Sequence, residues 1–182
     1  GYNRLMSKKI KDNCDLDALK PKKRVNSRAK GQSFERKICK LLNSRFETKE
    51  FCRTPGSGAF ATTHALPEYL KIHGDLVTPK NFRFIVECKK GYNKENLSSL
   101  FNDRSAFYTF IKQCEKDSQR AGVPSIIIWQ QDRNEILTIL NNQLIDDITL
   151  YSNKEYKHLI FNKYIIYKFK DLLDLDNDFW FI

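Results

Sequence analysis

Three residues in one short stretch carry the types that phosphate chemistry requires. Asp75 is the second residue of the run Gly74 to Thr78 (GDLVT), and Glu87 and Lys89 lie in the run Phe82 to Lys89 (FRFIVECK). Side chains on a strand alternate between its two faces. Phe82, Phe84, Val86 and Cys88 therefore share one face, and Arg83, Ile85, Glu87 and Lys89 share the other. Glu87 and Lys89 point the same way. Pro79, Lys80 and Asn81 form a short connection, which predicts an antiparallel hairpin that carries Asp75 toward Glu87 and Lys89. Two carboxylates meeting in one small volume suit a hard divalent cation such as Mg2+, which takes one or two carboxylates and keeps its other positions for water and phosphate. An ammonium beside such an ion can orient or help deprotonate water and offset charge on a phosphorane. Surface charge on an ordinary hairpin is the competing reading of the same three residues.

A third carboxylate comes from a helix. Phe34, Ile38, Leu41 and Leu42 fall at i, i+4, i+7 and i+8, which predicts an amphipathic helix from Gly31 to about Phe46. Glu35 lies on the flank of that stripe, where a glutamate needs a partner. The partner is either the metal site or a nearby Arg or Lys. The loop Thr54 to Ala59 (TPGSGA) breaks both regular periods. No Gly-Lys-Ser/Thr follows its Gly56-Ser57-Gly58, so the spacing is not that of a nucleotide triphosphate site.

The elements that must hold these residues read as a mixed α/β domain. Helical spacing returns at Phe107, Phe110, Ile111 and Cys114 and ends near Gly122-Val123-Pro124. Ser125 to Trp129 and Glu135 to Leu140 read as strands, and Tyr156 to Phe169 stays open between strands and a strand with a helix. A length of 182 residues with 41% hydrophobic side chains suits one core. Residues 1–30 read as a basic arm and 31–182 as the domain, with an extension from about residue 141.

Five scattered cysteines form neither a CxxC pair nor a Cys/His cluster, which argues against structural zinc and for a reducing compartment. The expected location is intracellular, cytoplasmic or nucleoid-associated, because no apolar run is long enough to span a bilayer and no signal core precedes the first helix. A chain starting at Met6 would read naturally. The net charge of +10 implies an anionic partner, and residues 1–30 alone contribute +7. Lys30, Arg36, Lys37, Lys40, Arg53, Lys89, Lys90 and Lys94 extend that basic footprint, as expected of a surface that holds phosphates.

In order, these pieces are KGQSFER (Lys30 to Arg36), RTPGSG (Arg53 to Gly58), Gly74-Asp75 and IVECK (Ile85 to Lys89). They resemble the PD-(D/E)xK nuclease superfamily and, within it, the archaeal-type Holliday junction resolvases. The resemblance covers about half the chain, from Lys30 to Gly122. It implies a restriction-endonuclease-like core with a mixed central sheet flanked by helices. It also implies Mg2+, with Mn2+ as a substitute, held by Asp75, Glu87 and Glu35. Lys89 is then the catalytic lysine and Ser57 an active-site contact, while Gln113 resembles a glutamine that some members place near the site. Lys30, Arg36, Arg53, Lys90 and Gln113 would contact nucleic acid. The implied activity is DNA phosphodiester hydrolysis on branched substrates by a homodimer, with no membrane and no nucleotide cofactor. The alternatives are a restriction-like or nicking enzyme on duplex DNA and a non-catalytic nucleic-acid-binding module. Gly74 stands where the superfamily often has Pro, and the linker from Gly58 to Gly74 is longer than a compact resolvase needs.

Overall fold

The computed structural model describes residues 26–55 and 74–182. Helix α1 runs Ser27–Arg45 and buries Phe34, Ile38, Cys39 and Leu42. It begins four residues earlier than the apolar spacing predicts. Asn26 caps it by accepting from the Ala29 N–H at 3.2 Å, and its first turn faces solvent, so that turn carries no apolar signal. Lys30 therefore belongs to the helix.

Strand β1 (Cys52–Arg53) pairs antiparallel with β2 (Leu76–Val77) as a separate two-stranded ribbon. The main sheet holds β3 (Ile85–Lys90), β4 (Ser125–Gln130), β5 (Leu137–Asn141), β6 (His158–Phe161) and β7 (Tyr164–Lys168) in the order β3-β4-β5-β7-β6. β3 and β4 are parallel, joined through a 3-10 turn at Leu97–Phe101 and helix α2 (Ala106–Ala121), and the remaining pairs are antiparallel. Gly122, at φ 68°, ends α2 as a left-handed cap. Helix α3 (Ile145–Leu150) follows β5, and α4 (Phe169–Leu173) and α5 (Asn177–Trp180) follow β7. This is the mixed α/β, restriction-endonuclease-like architecture with helices against a five-stranded mixed sheet.

Alternation divides the core between the two faces. Val86, Ile126, Ile128 and Ile165 pack with α1, α4 and α5, while Ile127, Trp129 and Ile139 pack with α2 through Phe107, Phe110, Ile111 and Cys114. The last forty residues belong to this core: Phe169, Leu172, Leu175, Phe179 and Trp180 are fully buried.

The expected hairpin does not form. β2 turns to β1, and the link between the two runs is a single parallel bridge, Gly74 to Val86, carried by the Asp75 N–H donating to the Val86 carbonyl at 2.9 Å. The backbone just before β3 is taken by the C-terminus instead. The Arg83 N–H donates to the Trp180 carbonyl at 2.8 Å, and the Ile182 N–H donates to the Asn81 carbonyl at 2.9 Å. Stacking of Phe82 on Trp180, with ring centroids 5.9 Å apart, reinforces that pairing. Among the described helices none is long and apolar enough to cross a membrane.

Candidate active site

Asp75 still reaches β3, by its side chain. Its Oδ2 accepts from the Cys88 N–H at 2.7 Å, which pins the carboxylate to the open edge of the strand. Gly74 makes this approach possible. Its φ is +77°, and a Cβ there would stand 2.6 Å from the Val86 oxygen and 3.1 Å from Glu87 Oε1. Only a residue without a side chain fits that space without strain.

Glu87 and Lys89 lie on the α2 face, with Lys89 Nζ 3.5 Å from Glu87 Oε2. Glu87 is only 5% exposed. Burial first, and then the Asp75 carboxylate beside it, push its proton affinity up to about 8, against a smaller opposing pull from Lys89. The two carboxyl groups are close enough to share a hydrogen bond when one carries a proton. Burial alone would lower Lys89, but the carboxylates of Glu87 and Asp75 more than offset it and hold the ammonium above its ordinary value. The ammonium also lies 5.6 Å from the Phe110 ring centroid. Lys89 is thus a fixed positive charge, better suited to orienting water and stabilising a developing anion than to accepting a proton.

Glu35 enters from α1 and lines, with Asp75, Cys88, Lys89 and Lys90, a cleft of about 620 Å3. Its Oε2 accepts from Arg53 Nε at 2.5 Å. Arg53 is thus one partner of Glu35 and occupies one of its carboxylate oxygens. Among the described residues no group of three or more His, Cys, Asp and Glu side chains is gathered so as to hold a metal. Asp75, which lines the cleft, and Glu87, buried beside it, instead offer a pair of carboxyl groups next to the Lys89 ammonium. That donor set fits Mg2+, which is commonly held by one or two carboxylates and completes its shell with water.

The remaining candidates fall at different places. Lys30 Nζ is bound to Asp132 at 2.5 Å, and Lys90 Nζ lies 3.3 Å from the same carboxylate. Arg36 is exposed and borders a groove with Lys40 and Arg53. Gln113 is exposed on α2 and donates to Asp117 at 2.8 Å. Ser57 lies outside the described residues. Asp117, which no motif singles out, adds a charge that raises Glu87 further. Helical spacing carries the signal for it, one turn beyond Gln113 and on the flank of the buried Cys114. Cys88 and Cys114, both next to the carboxylates, are held well above ordinary thiol values by burial, which leaves them protonated and unreactive.

A mixed sheet with a carboxylate at its open edge and an ExK strand is the arrangement that the PD-(D/E)xK resemblance implies. Residues 26–178 match the family described as "Phage putative PDDEXK endonuclease", and the chain belongs to it. It is also similar to Protein D14 of Escherichia phage T5, at 30% identity over 146 residues, covering 76% of this chain and 84% of that protein. No solved structure matches it.

Proposed function

We propose that the protein is a Mg2+-dependent endonuclease that hydrolyses phosphodiester bonds in DNA, with branched DNA such as a Holliday junction as substrate and a homodimer as the working form. The observation that carries the chemistry is the meeting of Asp75, Glu87 and Lys89 at the end of β3, with two crowded carboxylates and an ammonium 3.5 Å from one of them. Asp75 and Glu87 would hold Mg2+, or Mn2+ in its place, and Glu35 would close the site from α1 with Arg53 fixing one of its oxygens. When bound, the ion supplies Lewis acidity and a water of lowered pKa. Lys89 would orient an attacking water and offset charge on the phosphate as the bond to the leaving oxygen breaks. The buried Phe110 and Cys114 behind Glu87 limit solvent on the α2 side.

Branched DNA is favoured by the similarity of the KGQSFER helix and the IVECK strand to the junction resolvases, and a dimer by the need for two symmetric cuts. The test is cleavage of four-way, flap, duplex and single-stranded DNA with Mg2+ or Mn2+, comparing wild type with Glu87→Ala. Paired cuts on the four-way substrate, absent in the variant, support the reading. Binding without metal-dependent cuts in any substrate leaves a nucleic-acid-binding module.

A further inference from the structure

Beside the carboxylates, the same cleft ends in a cluster that no catalytic step uses. Asp132, just past the end of β4, is gripped from three sides. Lys30 Nζ donates to its Oδ2 at 2.5 Å, Asn93 Nδ2 donates to the same oxygen at 2.8 Å, and Lys90 Nζ lies 3.3 Å from Oδ1. The loop is fixed from the other direction, because the Asp132 N–H donates to Asn93 Oδ1 at 2.8 Å. Its three captors all line the cleft that holds Asp75 and Lys89. Their origins are far apart in the chain: Lys30 comes from α1, Lys90 from the last position of β3 and Asn93 from the loop that follows. Gly91 turns the chain between Lys90 and Asn93 through a backbone conformation that favours glycine. It takes φ +92°, and Lys30 Nζ stands 3.8 Å from where its Cβ would be.

Two ammonium groups and an amide N–H aimed at a pair of oxygens form a receptor for an oxyanion, and a DNA phosphodiester presents two such oxygens. The carboxylate now seated there is 41% exposed and lies on a surface turn, so it can leave without opening the core. We propose that Lys30, Lys90 and Asn93 are the seat for a substrate phosphate next to the scissile one, and that Asp132 is a built-in surrogate which the incoming DNA must displace. The inference deepens the nuclease reading and rests on its assignment of DNA as substrate.

A surrogate makes free protein bind less tightly than its cations allow. Asp132→Asn removes the competing charge and keeps the shape, so affinity for a fluorescein-labelled four-way DNA junction in EDTA should rise by about tenfold at low salt, the size expected for freeing two partly exposed ion pairs. Asp146→Asn deletes an equal charge at the start of α3, at the opposite end of the sheet, and should change affinity by less than twofold. Replacing both Lys30 and Lys90 with Ala should reduce the slope of log K against log salt by about 2, the contribution of two lost phosphate contacts. Asp132→Ser serves as a second variant, with circular dichroism checking the fold of each.

Unchanged or weaker binding by both Asp132 variants overturns the proposal, as does a gain no larger than that of Asp146→Asn. Overturning it this way while wild type still cleaves DNA leaves the nuclease reading intact. Wild-type protein that binds no DNA defeats both.

Discussion

Glu87→Gln should stabilise the metal-free protein, although it removes a residue from the core of the site. Glu87 is buried beside Asp75 and has its proton affinity raised from 4.5 to about 8. A carboxyl whose folded value lies above its unfolded value contributes fully below the unfolded value and loses that contribution as pH rises through the folded one. At pH 7 the folded protein holds the proton that the unfolded chain has released. The cost is about 1.4 kcal/mol for each pH unit above 4.5, or roughly 3 kcal/mol at pH 7. Glutamine has the same shape, can donate to Asp75 and never ionises. The melting temperature of the variant in EDTA should therefore exceed that of wild type by roughly 6–12 °C at pH 7, at about 2–4 °C per kcal/mol for a chain of this size. The gap should shrink to about 1–3 °C at pH 5 and stop widening above about pH 8. Scanning calorimetry across that range reads the gap directly. Added Mg2+ should reverse the order, since wild type alone gains by mass action. A variant that melts below wild type in EDTA at pH 8, or a gap independent of pH, refutes the crowded-pair description.

Three further outcomes follow from the same geometry. Gly74→Ala must place a Cβ 2.6 Å from the Val86 oxygen at positive φ, so urea unfolding should show a loss of about 2 kcal/mol or more, with cleavage lost as Asp75 shifts. Lys89→Ala should lower the single-turnover cleavage rate by about 10² to 10³ while leaving junction affinity within a few fold, and Lys89→Arg should not restore the rate because the fork does not fit a point-charge role. Arg53→Ala leaves the half-buried Glu35 without its partner and should cost about 1–2 kcal/mol in urea midpoint analysis; the double change with Glu35→Gln should recover most of it.

What could be read in advance was local. Period-two alternation places Glu87 and Lys89 on one face, and the apolar stripe of α1 identifies the residues that pack on the sheet. The hairpin reading failed because nothing near Phe82 announces that Trp180 and Ile182, a hundred residues away, take the backbone groups that β2 would have needed. Asp75 reaches Glu87 through a side-chain bond to the Cys88 N–H, which no strand pattern encodes. The Lys30–Asp132 contact spans 102 positions, so sequence types Lys30 as a free cation where the fold gives it a carboxylate. Glu35 shows the intermediate case: its place on the stripe flank demanded a partner, while the choice of Arg53 depended on where β1 came to lie.

Asp75 and Glu87 are expected to share one ion. Anomalous diffraction from crystals grown in Mn2+ measures that directly. One peak bonded to oxygens of both side chains, at a metal–oxygen distance near 2.1–2.2 Å and with Lys89 Nζ facing the bound water, is the predicted result. A peak that touches only one of the two, or none at this cleft in protein that is shown to cleave DNA, contradicts it.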